Sequence, residues 1–580
     1  MSRPDNDQEF DVVVVGSGAG GLLGAIKAAD AGLKAIVVEK AALLGGTTAI
    51  SGGAIWVPCN DDQARAGIKD DLADAFTYVK TCARGLSSDE RILAYVETAR
   101  HLARYLGSIG VAYRCMPLYS DYYPGLPGAR PGGRTMDAVD YDAALLGPEQ
   151  LATMRRANPG QLILGRVAMS AFDAHTILSG GRGSVSVVLK HLLRYFMDYP
   201  WRMVSRIDRR MTGGQALIAA LLDVARRRNV TIWTESPLTG LITAEGRVTG
   251  IVVERSGQAC RIGARRGVLI AAGGFEWNQE MRDAYLPKPT QAQWSATPAG
   301  GNTGDGIRAG AKAGGALRMM EQSWGCPTII VPGEDKARGV FVERAMPGAI
   351  VVNQRGERFV NESGPYPEFQ QAMYANHAAT GGAVPAFVIF DAAFRARYPM
   401  GPVMPKSLMP DSKVPAAWWD KVVWKADTLE ALASKIGVDA AGLARTAARF
   451  AGFARTGKDE DFDRGGNSFD RYYSDVNIRP NPSLAPLAKA PFYAMLLWPG
   501  EIGTKGGLLT DLDARVLDVQ GQAIPGLYCV GNASASVMGP SYPGAGSTLG
   551  PAMTFAYRAV ADMSGAPIAL EHRDLLGVQS

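Results

Sequence analysis

The chain has 580 residues, which predicts roughly two to four domains and a large buried core. Hydrophobic residues make up 47% and charged residues 20%, a balance typical of globular rather than disordered proteins. The formal net charge is +5, from 61 basic and 56 acidic residues, so we expect no nucleic-acid partner. The six cysteines form no Cys-x-x-Cys pair, which indicates neither a zinc site nor a disulfide framework. No metal site is predicted.

The start of the chain has no targeting pattern. Residues 1–11 are polar and acidic, without the basic and then apolar regions of a signal peptide. No run of about 18 apolar residues occurs, so we expect no membrane-spanning helix. These observations predict a cytoplasmic protein in a reducing compartment.

A buried strand, a glycine turn and a helix form the first motif. Residues 11–15 read DVVVV, the turn at residues 16–21 reads GSGAGG, and an Ala/Leu-rich segment follows. In a G-x-G-x-x-G turn the glycines permit the bend, let the backbone approach a pyrophosphate and pack the helix on the strand. A second apolar run, Ala35–Val38, ends in Glu39, whose carboxylate can accept hydrogen bonds from ribose hydroxyls. The motif therefore predicts a dinucleotide site.

The flanking segments favour FAD over NAD. The loop Leu44–Gly53 offers hydroxyls and backbone amides along an extended path that suits a long cofactor. Two further apolar runs, at 267–270 and 526–530, end in glycine turns and are predicted to join the same sheet. Separated segments of the chain thus build one predicted sheet.

Taken together, these segments resemble the FAD-dependent fumarate reductase and succinate dehydrogenase flavoprotein superfamily, which includes the 3-ketosteroid dehydrogenases. The runs at 301–306 (GNTGDG) and 358–362 (RFVNE) match as well. Within the superfamily, the runs at 361–366 (NESGPY) and 538–553 are similar to those of 3-oxosteroid 1-dehydrogenases. The resemblance covers nearly the whole chain.

The resemblance implies an α/β fold with two parts. A Rossmann-like FAD-binding domain, with a parallel sheet and helices, is expected from residues 1–321 and 500–580. An inserted α+β catalytic cap domain is expected at 322–499, where Pro, Trp, Tyr and Met are frequent. An extra segment, at about 146–210, has no counterpart in shorter members of the family.

The motifs and the resemblance together assign the cofactor site. No histidine lies in the loop 45–53, so non-covalent FAD is expected. The residues expected to bind it are Gly16, Ser17, Gly18, Ala19, Gly20, Glu39, Lys40, Gly45, Gly46, Thr47, Thr48, Ser51, Gly52, Gly53, Ala272, Gly273, Gly531, Asn532, Ser547 and Leu549.

The resemblance also implies a reaction, the insertion of a double bond between carbons 1 and 2 of a 3-ketosteroid. Tyr366 is the implied base for the carbon 2 proton, and Tyr122 is the implied helper tyrosine, with the adjacent Tyr123 as the alternative. The Tyr542 hydroxyl and the backbone N–H of Gly546 are the implied polarisers of the ketone. A phenolate at pH 7 costs about 4 kcal/mol unless its surroundings lower the pKa, so a helper is expected.

Three other functions compete with this interpretation. One is a dehydrogenase that acts on a different bond of the steroid ring. A fumarate-reductase-like enoate reductase would need Arg and His side chains gripping carboxylates, for which Arg344 and Arg358 are candidates. A noncatalytic FAD-binding electron carrier would not depend on Tyr366.

Two further segments carry predictions. Residues 187–210 alternate apolar and basic residues, which predicts either an ordinary surface helix and loop or a peripheral contact with an anionic membrane, on the inner face of the cell membrane. A membrane contact would bring the enzyme close to steroids and to a quinone-like electron acceptor. The acidic stretch 459–463 lacks the glycine and glutamate of a calcium loop, so a solvated loop is predicted.

Overall fold

A computed structural model describes residues 8–157, 162–180 and 183–577. Residues 1–7 of the predicted FAD-binding domain, and residues 158–161 and 181–182 of the predicted extra segment, lie outside the described residues. Within these ranges the chain forms one large mixed sheet, one antiparallel sheet and several small sheets, with helices packed on both large ones.

The main sheet is built around a central strand, Gln258–Ile270. One edge of this strand pairs in parallel with Gln8–Val15, and the other pairs with Arg247–Arg255 and then with Ala523–Cys529. The eight strands described in this sheet are Gln8–Val15, Ala35–Val38, Thr231–Trp233, Leu238–Ala244, Arg247–Arg255, Gln258–Ile270, Arg515–Leu517 and Ala523–Cys529. The prediction that distant segments share one sheet is confirmed.

Helices cover both faces of the first strand. Val12 and Val14 pack into one hydrophobic core and Val13 and Val15 into another, because successive side chains of a strand point to opposite faces. The core on the Val12 side contains most of the helices of the FAD-binding part, which are Ala19–Asp30, Leu72–Ala83, Asp89–Ser108, Gly213–Arg227 and Leu549–Met563. Burial on both faces explains why this strand is apolar at every position from Val12 to Val15.

The two ends of the chain meet at the first helix. Gly24 of Ala19–Asp30 lies so close to its neighbours that a Cβ there would be 2.6 Å from Leu269 Cδ2 and 3.9 Å from Ala556 Cβ. Glycine at this position lets the helix approach both the central strand and the helix Leu549–Met563. The C-terminal segment thereby becomes part of the FAD-binding fold.

The second large sheet is antiparallel and lies between residues 323 and 504. Its described strands are Ser323–Ile329, Arg338–Gly339, Ala349–Val352, Ala386–Asp391, Trp424–Ala426 and Phe492–Thr504. The helices Tyr366–Thr380, Leu429–Ile436 and Ala440–Thr456 accompany it. The fold class is therefore confirmed as α/β with an α+β insertion.

The connections into and out of the insertion lie side by side. Leu317–Arg318 pairs with Gly507–Leu508, so the chain leaves and re-enters the FAD-binding part at one place. The strand Phe492–Thr504 runs past the predicted boundary at residue 499 and pairs with Ser323 at its end. We propose the same three-part division, with the second boundary after this strand.

The extra segment contains four described helices, Gly147–Thr153, Ala171–Leu178, Ser184–Met197 and Tyr199–Val204. Its Arg210 is buried and pairs with Asp140 and Asp173. Among the described residues, no helix combines the length and apolar character that crossing a bilayer requires.

The prediction of a solvated acidic loop at 459–463 is wrong in part. Asp461 and Asp463 are exposed, but Asp459 is buried and pairs with Arg358 at 2.8 Å. Arg464, which follows, is fully buried and donates to the backbone carbonyl of Ala349 at 2.7 Å. This loop is therefore part of the cap core.

Candidate active site

The glycine turn has the close contacts that its sequence predicts. Gly16 has a φ of +106°, and a Cβ on it would lie 2.4 Å from the Ala271 carbonyl oxygen. A Cβ on Gly21 would lie 2.0 Å from the Gly16 carbonyl oxygen. The helix that follows begins at Ala19, and its N-cap residue, Gly18, has no side chain to accept from the first N–H groups. Such a helix end is a site for a phosphate group.

Glu39 lies beside this turn. Its Oε2 accepts hydrogen bonds from the Ser17 backbone N–H at 3.0 Å and from the Ser17 hydroxyl at 2.6 Å. Its Oε1 accepts from the Ala41 N–H at 2.9 Å. The carboxylate is therefore held at the end of its strand, next to the glycine turn. Lys40 points elsewhere and pairs with Asp305 at 2.9 Å.

The loop 45–53 folds against the same turn. The Ala19 N–H donates to Thr48 Oγ1 at 3.2 Å, and the Gly45 N–H donates to Ser17 Oγ at 3.0 Å. Thr47 Oγ1 accepts from the amide of Asn302 at 2.9 Å. The loop therefore brings hydroxyl groups to the start of the first helix. Gly53, with a φ of +72°, packs instead against the backbone of Gly213 and Gly214.

Several C-terminal candidates line one pocket together with two buried basic side chains. The lining residues include Gly531, Asn532, Ser547, Arg91 and Lys505. Gly531 is next to Ala552, whose carbonyl oxygen would lie 3.0 Å from a Cβ on Gly20. Leu549 begins the helix behind this pocket.

A buried carboxylate near Gly273 was not predicted. A Cβ on Gly273 would lie 2.1 Å from Asn302 Oδ1, and the amide of Asn302 donates to Glu276 Oε1 at 2.7 Å. Glu276 is fully buried, and burial raises its pKa to about 7. The uncapped helix end, the Glu39 carboxylate and the hydroxyl-rich loop fit the pyrophosphate and ribose of FAD.

Four predicted catalytic positions come together from distant parts of the chain. The hydroxyl of Tyr122 donates to that of Tyr366 at 3.4 Å, and the rings of Tyr366 and Tyr542 lie 5.2 Å apart. The Gly546 N–H and the Tyr366 hydroxyl both face the Tyr542 hydroxyl. Gly546 has a φ of +99°, and a Cβ there would lie 2.3 Å from the carbonyl carbon of Ile55. Only glycine therefore fits where this N–H is presented.

A buried carboxylate fixes the loop that carries Tyr122. Asp121 accepts hydrogen bonds from the Trp56 indole at 2.8 Å and from the Arg134 guanidinium at 2.9 Å. The Tyr122 N–H donates to the Pro543 carbonyl at 2.9 Å. The Tyr122 loop and the Tyr542 segment are thus held together through their backbones. Sequence reasoning did not single out Asp121, although it stands alone as a carboxylate within an aromatic stretch.

Tyr122 and Tyr123 point in different directions. Tyr122 reaches the Tyr366 hydroxyl, whereas the Tyr123 hydroxyl accepts the Tyr542 N–H at 3.1 Å and donates to Glu368. Tyr122 lies at a bend of this loop, where consecutive side chains leave the backbone in different directions. The geometry favours Tyr122 as the partner of Tyr366.

Burial dominates the electrostatics of the tyrosines. It raises the pKa of Tyr366 and Tyr122 well above the ordinary tyrosine value. It also raises the pKa of Tyr542, where hydrogen bonds from Tyr366, Thr548 and the Gly546 N–H act in the opposite direction. All three phenols are therefore neutral at pH 7, and any phenolate has to form transiently.

Arg344 and Arg358, the candidates for binding the carboxylates of an enoate, are paired with groups of the protein itself. Arg344 is buried and donates to the backbone carbonyls of Glu362 and Gly364. Arg358 pairs with the carboxylates of Glu362 and Asp459. Neither guanidinium is available to grip the carboxylates of an enoate, and the observed groups are neutral phenols and a backbone amide.

Comparisons with known proteins show the family of the chain. The FAD binding domain family matches residues 11–549. The chain is 53% identical to the 3-oxosteroid 1-dehydrogenase of Comamonas testosteroni, over 98% of this chain and 99% of that protein. It is 40% identical to the enzyme of the same name from Mycobacterium tuberculosis strain H37Rv, over 96% of this chain and 99% of that protein.

A solved structure is similar over almost the full length. It is the 3-ketosteroid delta1-dehydrogenase from Sterolibacterium denitrificans in complex with 1,4-androstadiene-3,17-dione, with a TM-score of 0.94 and 52% identity. The match covers 96% of this chain and 100% of that chain. The fold and the cofactor cradle thus define an FAD-binding flavoprotein. Within that class, the chain belongs to the 3-oxosteroid 1-dehydrogenase family.

Proposed function

We propose that the protein is an FAD-dependent 3-oxosteroid 1-dehydrogenase, which introduces a double bond between carbons 1 and 2 of a 3-ketosteroid. The observation that carries this proposal is the meeting of the Tyr122, Tyr366 and Tyr542 hydroxyls with the Gly546 N–H in one buried cluster. A ketone needs a polariser and a base for removal of the adjacent proton, and this cluster supplies both.

Tyr542 and Gly546 act on the 3-oxo group. A phenol O–H and a backbone N–H that converge on one oxygen stabilise the negative charge that develops when carbon 2 loses its proton. The Gly546 N–H faces the Tyr542 hydroxyl. A steroid carbonyl oxygen that enters between them can accept a hydrogen bond from each.

Tyr366 accepts the proton from carbon 2, and Tyr122 relays that proton away from Tyr366. Burial raises the pKa of Tyr366, so the proton that it accepts is held firmly and its phenolate is scarce at neutral pH. A hydroxyl at 3.4 Å, that of Tyr122, shares the negative charge and offers a path for the proton. Tyr119 extends this path, since its hydroxyl lies 3.4 Å from that of Tyr122.

A bound FAD would supply the acceptor for the hydride that leaves carbon 1. The residues proposed to hold it are the glycine turn at 16–21, Glu39, the loop 45–53, Ala272 and Gly273, and the C-terminal residues Gly531, Asn532, Ser547 and Leu549. The uncapped start of the helix Ala19–Asp30 supports a pyrophosphate position there. Lys40 is the weakest of the proposed contacts, because it pairs with Asp305.

The electron acceptor is proposed to be a quinone-like molecule reached at a membrane surface. The helix Ser184–Met197 exposes 62% of Leu193 and 69% of Phe196, and its Lys190 and Arg194 are exposed. Apolar side chains beside cations suit the interface of an anionic bilayer. Tyr195 and Arg210 are buried and take no part in this face.

An anaerobic experiment tests the main proposal. The purified holoenzyme is mixed with androst-4-ene-3,17-dione, and separately with succinate, while the visible flavin absorbance and the product are followed. Bleaching by the steroid alone, with formation of the 1,4-diene, is expected. Bleaching with a different product would move the reaction to another bond, and no bleaching of a yellow protein would overturn the steroid assignment.

A further inference from the structure

Lys505 is a buried amine beside the active-site tyrosines. Its side chain is inaccessible to solvent, and its Nζ donates to the backbone carbonyls of Pro540 and Ser541, the latter at 2.9 Å. A third side of Nζ faces the ring of Trp324, 4.4 Å from the ring centroid. The two carbonyls belong to the residues directly before Tyr542.

The burial of this amine is costly. Taking an ammonium group out of water costs several kcal/mol when no counter-charge is in contact. Among the described carboxylates none forms an ion pair with Lys505. The Glu368 carboxylate attracts the ammonium group only from a longer distance. A methionine would fill the same space without this cost. What lysine adds at this position is therefore its pair of hydrogen bonds to the segment 540–541.

The other end of Lys505 is equally fixed. Its backbone N–H donates to the Gln322 carbonyl at 2.9 Å, and its carbonyl accepts from the Ser536 N–H at 3.0 Å. It follows directly after the strand Phe492–Thr504. Lys505 is hydrogen-bonded at its backbone and at its amine. It therefore connects the cap sheet to the segment that carries Tyr542.

Tyr542 is held on its N–H side as well. The Tyr123 hydroxyl accepts the Tyr542 N–H at 3.1 Å and donates to Glu368. Glu368 lies in the first turn of the helix Tyr366–Thr380, which begins with the proposed base. The Trp324 ring also contacts that of Tyr542, with 5.0 Å between centroids. Tyr542 is therefore held from three sides. Lys505 binds the two carbonyls before it, Tyr123 accepts its N–H, and Trp324 contacts its ring.

We propose that Lys505, with Tyr123 and Glu368, forms a clamp that positions Tyr542 for its action on the 3-oxo group; this inference rests on the proposed function. Lys505 is a positioning residue, since its amine is bonded to backbone carbonyls and acts through Tyr542. A displacement of a catalytic group by about 1 Å can lower a rate by a factor on the order of one hundred. The clamp therefore controls the rate without touching the substrate.

The clamp does not depend on the charge of the amine. Burial lowers the pKa of Lys505, Glu368 and Cys82 oppose this shift, and Arg84 adds to it. In both protonation states Nζ carries at least two N–H groups, enough for the two carbonyls. The hydrogen bonds to Pro540 and Ser541 thus persist across the titration of the amine.

The test compares Lys505→Met and Lys505→Gln with a matched control, Lys435→Met. Lys435 also donates to a backbone carbonyl, that of Lys425 at 2.9 Å, but on the exposed surface of the cap. We measure kcat and KM for androst-4-ene-3,17-dione, flavin content, and the infrared C=O stretch of bound 1,4-androstadiene-3,17-dione labelled with ¹³C at carbon 3. The stretch reports how strongly the Tyr542 hydroxyl and the Gly546 N–H bond to the ketone.

The expected result is a fall in kcat of about ten- to one-hundredfold for Lys505→Met with little change in KM. Because Lys505 also lines the pocket of the cofactor candidates, kcat is expressed per bound flavin. The C=O stretch of the bound dienone should move toward its value in an apolar solvent. Lys505→Gln, which keeps an NH₂ group, should recover part of both changes, and Lys435→Met should match the wild type.

Other outcomes overturn the inference. A wild-type kcat and an unchanged stretch in Lys505→Met would remove Lys505 from any positioning role, as would a loss of flavin with no change in the stretch. If Lys505→Met does not fold, Tyr123→Phe carries the same expectation for the stretch. If the wild type neither oxidises the steroid nor shifts the dienone stretch, the proposed function fails first, and the clamp fails with it.

Discussion

The hydroxyl oxygens of Tyr122 and Tyr366 lie 3.4 Å apart, although 244 positions separate the two residues in the chain. Their rings meet edge to face, with 5.7 Å between centroids. Tyr122 comes from a loop of the FAD-binding part, and Tyr366 begins a helix of the cap. The proposed base and its helper therefore belong to different parts of the fold, and the proton path exists only when the two parts are packed together.

Replacing Tyr366 with Phe should remove most of the activity and leave the flavin in place. Loss of a general base lowers a rate by a factor on the order of 10² to 10⁴. Tyr374→Phe is a matched control, because Tyr374 lies on the same helix and its hydroxyl approaches the Pro499 carbonyl at 3.5 Å. Anaerobic flavin reduction by androst-4-ene-3,17-dione measures the effect. Near wild-type reduction by the Tyr366 variant would refute its assignment as the base.

Tyr122→Phe and Tyr123→Phe should have different consequences. The first removes a hydroxyl from the proton path and should slow exchange of the carbon 2 proton with deuterated solvent. The second removes the acceptor of the Tyr542 N–H and should weaken polarisation of the ketone. Proton NMR of the recovered steroid and the infrared stretch of the bound dienone separate the two effects. Identical behaviour of the variants in both measurements would contradict their distinct placement.

The activity should increase with pH on the alkaline side of neutrality. The base has to lose its proton before it can accept one, and burial raises the pKa of Tyr366. Below that pKa the phenolate fraction grows about tenfold for each pH unit, so kcat/KM should rise in the same direction. A flat profile of kcat/KM between about pH 6 and pH 9 would argue against a buried tyrosine as the base. The Tyr366→Phe variant serves as the control and should lose this dependence.

Glu39→Ala should weaken FAD binding. The carboxylate accepts from both donors of Ser17, and its removal leaves a buried N–H and O–H without their partner. The change also removes the carboxylate proposed to accept from the ribose hydroxyls. A hydrogen bond to a charged group contributes about 1.5–3 kcal/mol, or roughly ten- to 150-fold in the dissociation constant of FAD. Glu235→Ala, at an exposed position on the neighbouring strand end, is the control. Flavin fluorescence of the dialysate measures release, and equal retention by the two variants would count against the ribose assignment.

Serine at Leu189, Leu193 and Phe196 should reduce binding to anionic vesicles. These side chains are exposed on the helix Ser184–Met197, and each contributes apolar area that a bilayer interface would bury. Vesicles of phosphatidylglycerol and phosphatidylcholine are sedimented with the holoenzyme, and steroid oxidation in solution should remain unchanged. Leu408→Ser, an exposed leucine of the cap, is the control. Absence of wild-type protein from the pellet would refute the membrane contact.

The sequence by itself determined the cofactor fold and predicted the residues of the proposed site. A strand that is buried on both faces, a glycine turn and an acidic residue at the end of the next strand are local patterns. Each has a direct physical cause, such as the 2.0 Å approach of a Cβ on Gly21 to the Gly16 carbonyl. The strand Ala35–Val38 has the predicted bounds, because its apolar run ends at the acidic residue that the site needs.

Only the tertiary structure decided which groups face one another. The sequence left Tyr122 and Tyr123 as alternatives, since direction in a loop depends on its contacts, here those of Asp121 and of the Pro543 carbonyl. Nothing in the sequence around Lys505 or Glu276 marks them as buried. The pKa of a side chain depends on the solvent that distant segments exclude, and that exclusion arises only when the cap packs on the FAD-binding sheet.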